Sequence, residues 1–273
     1  MSRETVDTGT QEVLCYVENA VAVITLNRPK ARNALSPALK DGLSNALVML
    51  ADDPRVGCLV LTGAGGAFCA GGDVKRMGQR TKSSPDSLDT YKAGLEKDQI
   101  QLSGALHRFP RPTIAALPGA AAGAGLALAL ACDMRIAAEC SFVSTAYAKV
   151  GLSGDYGMSW LLPRLVGPAK AAELIFGAPR VSASECERIG LVNRVVPDEA
   201  LLPETMALAQ QFANGPKVAL TFMKENLAQG ETLSLDQSMS LEADRMVRCM
   251  ATEDHREAAQ AFVEKRPPQC KGR

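Results

Sequence analysis

Two segments of this chain share one design, and it constrains the fold more than any other feature. Each is a run of strand-forming apolar residues, then a turn built almost wholly of glycine and alanine, then a helix start. In the first, residues 59–62 lead into GAGGAFCAGG and Asp73; in the second, residues 113–117 lead into PGAAAGAG and Leu126. Glycine lets the backbone approach another group closely and take dihedrals closed to other residues. A helix N-terminus offers free N–H groups and a favourable dipole. Two such turns side by side can aim two N–H donors at one oxygen. The same pattern also fits plain tight connections or a dinucleotide loop. GAGLAL lacks the third glycine of GxGxxG, no acidic residue follows at the proper distance, and neither turn carries the Lys-Ser/Thr of a phosphate loop.

Around these turns the pattern predicts strands over 13–17 and 21–26 joined at Glu18-Asn19, and a polar loop over 27–32. A helix follows to about residue 51, with Ser36 as N-cap and Pro37 at its first position. A strand at 57–62, a brief helix after Asp73, a polar and mobile stretch at 81–89, a helix over 91–109 and a strand at 113–117 come next. After the second turn come an apolar helix, strands at 134–138 and 141–144, helices at 157–166 and 169–176, a short helix at 182–189 and a strand at 191–196. From Glu199 the strand signals stop, and helices are expected at 199–213, 217–229, 233–250 and 253–265. Repeated ββα units followed by helices alone predict an α/β fold, with a core over 1–198 and a helical subdomain over 199–273.

Apolar residues make up 47% of the chain and charged residues 22%, enough for a sizeable core. Lys+Arg and Asp+Glu are 30 each, so no basic excess marks a nucleic-acid or membrane-surface binder. The longest apolar stretch, from Ala120 to Cys132, is too short to span a bilayer. The first residues, MSRETVDTGTQE, lack the apolar region of a signal peptide; a soluble, cytoplasmic protein is expected. The eight cysteines form no CxxC pair and sit mostly in apolar runs, as buried reduced thiols do. Two histidines, His107 and His255, are too few for a His-rich metal site and argue against a Ser-His-Asp triad. His107 reads as structural and Trp160 as core.

The chain resembles the crotonase (enoyl-CoA hydratase/isomerase) superfamily over nearly its whole length. The matching segments, in order, are ITLNRPKARNAL, VLTGAGGAFCAGGDVKRM, LPGAAAGAGLALALACDMRIAAECSF, GLSGDYGMSWLLPRLVG, SECERIGLVNRVVP and AFVEKR. The resemblance implies a crotonase-like spiral of ββα repeats with C-terminal helices that trimerise, as a homotrimer or a dimer of trimers. It implies an acyl-CoA substrate, coenzyme A entering as part of that substrate, and no separate cofactor or metal. The amides of Gly72 and Ala124 would form an oxyanion hole for the thioester enolate, since preorganised donors bind that charge better than the neutral carbonyl. Lys30 and Arg32 would meet the CoA phosphates. Ala70 and Val74 would flank the pantetheine and adenine, Asp73 would join the substrate- and CoA-binding residues, and Met77, with Tyr91 and Leu95, would line the acyl pocket. Phe262 and Lys265 would approach CoA from the C-terminal helices of this or a neighbouring subunit.

The sequence departs from the hydratases of that family, which resemble a two-glutamate design. Ala127 and Tyr147 stand where the glutamates would be, and adding water across a double bond suits two carboxylates. One acid remains, Asp155, in GLSGDYG. It resembles the aspartate of the crotonase-type isomerases, including the ring-epoxide group of phenylacetyl-CoA catabolism, although Ser153-Gly154 replaces their frequent Val-Pro. A single carboxylate suffices for a 1,3-proton shift; the alternative is that Asp155 only caps a helix. Aryl-CoA dehalogenases of the same fold use aspartate here as a nucleophile with an aromatic residue eight positions earlier, where Tyr147 stands. Their helper histidine has no match. Tyr147 either donates a hydrogen bond to substrate or fills vacated volume. Three functions remain: an isomerase using Asp155, a hydratase or other lyase or hydrolase of unusual residues, and an idle acyl-CoA-binding protein. The missing glutamates disfavour the second, and Asp155 disfavours the third.

Overall fold

The computed structural model describes residues 3–73 and 88–273. Its strands are β1 (Glu4–Val6), β2 (Val13–Glu18), β3 (Val21–Leu26), β4 (Cys58–Gly63), β5 (Ala67–Cys69), β6 (Thr113–Leu117), β7 (Ala120–Ala122), β8 (Met134–Ala138), β9 (Phe142–Ser144), β10 (Val181–Ser182) and β11 (Arg194–Val196). The helices are α1 (Pro37–Ala51), α2 (Leu88–Gln101), α3 (Ser103–His107), α4 (Ala124–Leu130), α5 (Met158–Val166), α6 (Pro168–Gly177), α7 (Ala183–Arg188), α8 (Leu201–Ala213), α9 (Lys217–Gly230), α10 (Leu235–Met250) and α11 (Glu253–Glu264). Three successive strand pairs, β4/β5, β6/β7 and β8/β9, each give one strand to each of two sheets. The seven-stranded sheet runs β1-β2-β3-β4-β6-β8-β11 and the four-stranded one β10-β9-β7-β5. This is the α/β spiral of ββα repeats expected from the sequence.

Local chemistry accounts for the boundaries. Asn19 and Ala20 both take positive φ, 49° and 64°, which gives the β2–β3 hairpin a turn whose twist matches its strands. Ser36 Oγ accepts the Leu39 N–H at 3.1 Å, and Pro37 opens α1 as expected. β4 is buried at every position because a parallel strand at the centre of a sheet is covered on both faces. One face meets Leu39, Leu43 and Leu47 of α1 and the apolar α4. The other puts Val23, Val60, Ile114 and Ile136 against Leu201, Ala209 and Ala213 of α8. The first helix beyond residue 198 thus closes the sheet's second core, whereas α9 has no buried residue and α10 has one, Arg245.

Several elements differ from expectation. The helix foreseen over 91–109 is two, α2 and α3, broken at Leu102 with φ −110° and ψ −86°. β1 lies where no element is expected, and β5 and β7 are three-residue strands inside the glycine-rich turns. Trp160 is not core but 38% exposed. Its ring meets His107 edge-on at 5.2 Å and lies under the Arg164 guanidinium at 3.8 Å. Five cysteines are buried, Cys140 is exposed, Cys249 and Cys270 are partly so, and all are free. The brief helix after Asp73 lies outside the described residues. Among the described residues, no helix is long and apolar enough to cross a membrane.

Candidate active site

The two glycine-rich turns meet main chain to main chain. β5 and β7 pair in parallel, Ala67 opposite Ala120 and Cys69 opposite Ala121. Beyond them Gly71 has φ 84°, and a Cβ there would stand 2.5 Å from the Ala122 carbonyl and 3.2 Å from the Ala124 nitrogen. A Cβ on Gly125 would collide with the Cys69 carbonyl. Only glycine permits this approach. Gly123, with φ 52° and ψ −128°, starts α4 without a side-chain cap, and its N–H donates to Ser144 O at 3.0 Å. The Ala124 N–H is one of the first-turn amides that have no acceptor within their helix. Gly72 sits in the neighbouring turn, in a parallel bridge with Leu35. The structure therefore brings Gly72 and Ala124 to adjacent turns.

A second loop braces the first turn, and its main brace was missed from sequence. Asn33 is fully buried. Its Nδ2 donates to the carbonyls of Ala64 (3.0 Å), Ala67 (2.8 Å) and Phe68 (3.2 Å), while its Oδ1 accepts the Arg28 N–H at 2.8 Å. Ala70 N–H donates to Arg32 O at 2.9 Å and Leu35 N–H to Gly71 O at 2.8 Å. The Cys69 thiol donates to Asn33 O at 3.0 Å. Arg32 and Asn33 are both at positive φ, 50° and 57°, which asparagine tolerates better than most residues.

Asp155 is not a helix cap. α5 begins at Met158, its N-cap is Gly157, and no side chain caps it. Instead Asp155 Oδ1 accepts a hydrogen bond of 2.6 Å from the phenol of Tyr147. Tyr147 is buried at 6% exposure, and its ring lies 3.9 Å from where a Cβ would stand on Gly123 and on Gly154. The ring thus connects Asp155 to the residue just before Ala124. Burial pushes the Asp155 carboxyl above its usual range, and the Tyr147 hydrogen bond pulls it partly back. Burial and then the Asp155 charge push the Tyr147 phenol upward. The carboxyl therefore titrates first, and the phenol stays protonated as its donor. From α2, Gln99 Oε1 accepts the Tyr156 N–H at 2.9 Å, a contact that no sequence pattern indicated.

The other expected contact residues are spread around this cluster. Lys30 and Arg32 are exposed, and Ala70 is half-buried. Asp73 lies 3.8 Å from the Arg28 guanidinium. Tyr91 is exposed, and Leu95 packs against the main core. Phe262 is 85% exposed, and exposed Lys265 ends α11 with φ 55°. Val74 and Met77 lie outside the described residues. Ala127 is wholly buried. A cavity of about 380 Å³, lined by His107, Trp160, Lys224 and Leu227 among others, contains none of the candidate residues. Among the described residues, no group of three or more His, Cys, Asp and Glu side chains could hold a metal ion.

Comparison with known proteins gives one answer at the level of family. The enoyl-CoA hydratase/isomerase family profile matches residues 16–273. The chain is 36% identical over 262 residues to 1,2-epoxyphenylacetyl-CoA isomerase of Escherichia coli K12, covering 96% of this chain and 98% of that one. It is 35% identical over 257 residues to crotonyl-CoA hydratase of Syntrophomonas wolfei, covering 94% and 96%. A crystal structure of enoyl-CoA hydratase from Bacillus anthracis superposes with a TM-score of 0.89 at 33% identity, over 96% of this chain and 100% of that one. With its two-sheet spiral, its paired glycine-rich turns and these matches along nearly its whole length, the chain belongs to the enoyl-CoA hydratase/isomerase family of the crotonase superfamily.

Proposed function

We propose that this enzyme shifts a proton along an enoyl-CoA, converting a 3-enoyl thioester to its conjugated 2-enoyl isomer. The N–H groups of Gly72 and Ala124 bind the thioester oxygen as it gains charge, each donor contributing about 3–4 kcal/mol in comparable sites. Asp155 takes the proton from one carbon and returns it to another of the same dienolate. Lys30, Arg32 and Ala70, with Phe262 and Lys265 of the C-terminal helices, receive the CoA portion. The observation that carries this reading is the half-buried Asp155 carboxylate, held by Tyr147 beside the start of α4. A carboxyl pushed upward by burial is a stronger base once ionised, as a proton shuttle requires.

Hydration is the second reading, favoured by the relative named crotonyl-CoA hydratase. Against it stand Ala127 and Tyr147 at the two positions where a water-holding pair of carboxylates is expected. The test is a spectroscopic assay of 2- and 3-enoyl-CoA chains with wild type and Asp155→Asn. Isomerisation by wild type, with at least about a hundredfold loss in the variant and retained acyl-CoA binding, supports the proposal. Full activity of Asp155→Asn, or ready hydration by wild type, rejects it.

We also propose that the chain assembles as a trimer or a dimer of trimers. Leu235, Met239, Met246 and Met250 are exposed and recur at helical spacing along α10, with Phe262 and Val263 exposed on α11. An apolar stripe on a helix is the pattern of a buried face.

A further inference from the structure

The turn that carries Asp155 has an unusual backbone. Tyr156 is an aromatic residue, 4% exposed, with φ of 54°. That left-handed region is strained for a bulky side chain. Gly154 and Gly157 flank the Asp155–Tyr156 pair with φ of 111° and 79°, so Asp155 is the one residue of 154–157 outside the region. Strained turns of this kind persist where the surroundings over-determine them.

The group that holds this turn comes from 57 residues away in sequence: Gln99 Oε1, in the last turn of α2, accepts the Tyr156 N–H at 2.9 Å. Gln99 is itself braced. Its carbonyl accepts from Ser103 Oγ at 3.2 Å, and its neighbour Asp98 forms an ion pair with Lys40 of α1. The peptide that Gln99 grips joins Asp155 to Tyr156, and the plane of that peptide fixes ψ of Asp155 together with φ of Tyr156. Asp155 is thus held twice, at its carboxylate by Tyr147 and at its following peptide by Gln99.

We propose that Gln99 is a positioning residue for Asp155: its amide oxygen fixes the left-handed turn that directs the carboxylate toward Tyr147 and the start of α4. This rests on Asp155 being the proton shuttle. Misplacing a reacting group by about 1 Å through a remote change can cost on the order of a hundredfold in rate, so loss of the acceptor lowers turnover without weakening substrate binding.

The test uses the full chain and a 3-enoyl-CoA, with Gln99→Met, which matches the length but lacks the acceptor, and Gln99→Glu, which keeps it. Gln99→Met is expected to lower kcat by about tenfold or more with KM within about twofold and the circular dichroism spectrum unchanged. Gln99→Glu retains most of the rate. In an Asp155→Asn background, Gln99→Met adds no further loss, because two residues acting through one group are not additive. The proposal is overturned by a wild-type kcat in Gln99→Met, by additive losses in the double variant, by Gln99→Glu failing as badly as Gln99→Met, or by Gln99→Met losing its fold. Full activity in Asp155→Asn alone removes the reading on which the proposal rests. A dead Asp155→Asn beside an unimpaired Gln99→Met removes the positioning role alone.

Discussion

The phenol of Tyr147 donates a 2.6 Å hydrogen bond to Oδ1 of Asp155, eight residues along the chain. The sequence left two readings open for Tyr147, a filler of vacated volume or a donor to substrate; the phenol instead donates to a carboxylate of the protein itself. A donor to the ionised form lowers a carboxyl pKa, whereas burial raises it; both act on Asp155.

Tyr147→Phe removes the lowering influence and leaves the burial. The Asp155 pKa therefore rises, and less of the carboxylate is ionised at a given pH. The acidic limb of the kcat–pH profile is expected to move to higher pH, with a loss at neutral pH of about tenfold. Steady-state rates between pH 5 and 9 decide it: a limb that stays in place means the phenol does not act on Asp155.

Stability gives an independent reading of the same carboxyl. A folded-state pKa above the ordinary value of 3.8 means that the native state binds the Asp155 proton more tightly than the unfolded chain does. Its contribution to stability is greatest below that value and is lost as pH rises through the folded-state pKa. Asp155→Asn carries no such charge and can still accept from Tyr147. The variant is expected to melt higher than wild type at pH 7, with the difference narrowing toward pH 4. Calorimetric scans at the two values test this, and a lower melting temperature at pH 7 contradicts it. A gain in stability together with a loss of turnover is the usual signature of a functional buried group.

Asn33 offers a sharper structural test than truncation alone. Asn33→Ala leaves three carbonyls without their donor at a left-handed position, at an expected cost of about 2–4 kcal/mol. Asn33→Asp keeps the shape but turns an acceptor toward those carbonyls. Chemical denaturation should therefore rank Asn33→Asp below Asn33→Ala. Equal stability of the two would mean that the Nδ2 bonds contribute little.

The exposed stripe on α10 predicts an assembly larger than one chain. Multi-angle light scattering at micromolar concentration should give three or six times the mass of 28.9 kDa. Met246→Glu, which sets a charge into the stripe, should shift that population toward smaller species. A monomeric wild type defeats the prediction.

Much of this was legible beforehand, for identifiable reasons. α1 announced itself by Ser36 and Pro37, and the parallel strands by unbroken apolar runs, because caps and burial act locally. The turns carrying Gly72 and Ala124 were visible because glycine clusters are rare where the backbone has no special task. β5 and β7 were not visible: Ala67–Cys69 and Ala120–Ala122 contain no β-branched residue, and they become strands through pairing with each other and, for β7, with β9. Asn33 and Gln99 escaped notice because their importance lies in carbonyls and an amide 31 to 57 residues distant, which no local pattern encodes. Trp160 misled because tryptophan is usually buried, whereas here its contacts with Arg164 and His107 leave it 38% exposed.

The close passage of Gly71 beneath Ala122 and Ala124 has a bearing on descent. Peptide groups are the same in every residue, so a junction made of main chain leaves little for mutation to alter, except by adding a side chain where none fits. The side chains at 127, 147 and 155 stand outside that junction and can change without disturbing it. A lineage built this way can change reaction by small steps while keeping one binding geometry. Relatives bearing an isomerase name and a hydratase name would then stand at nearly equal distance from a chain such as this one, as the values of 36% and 35% identity do here.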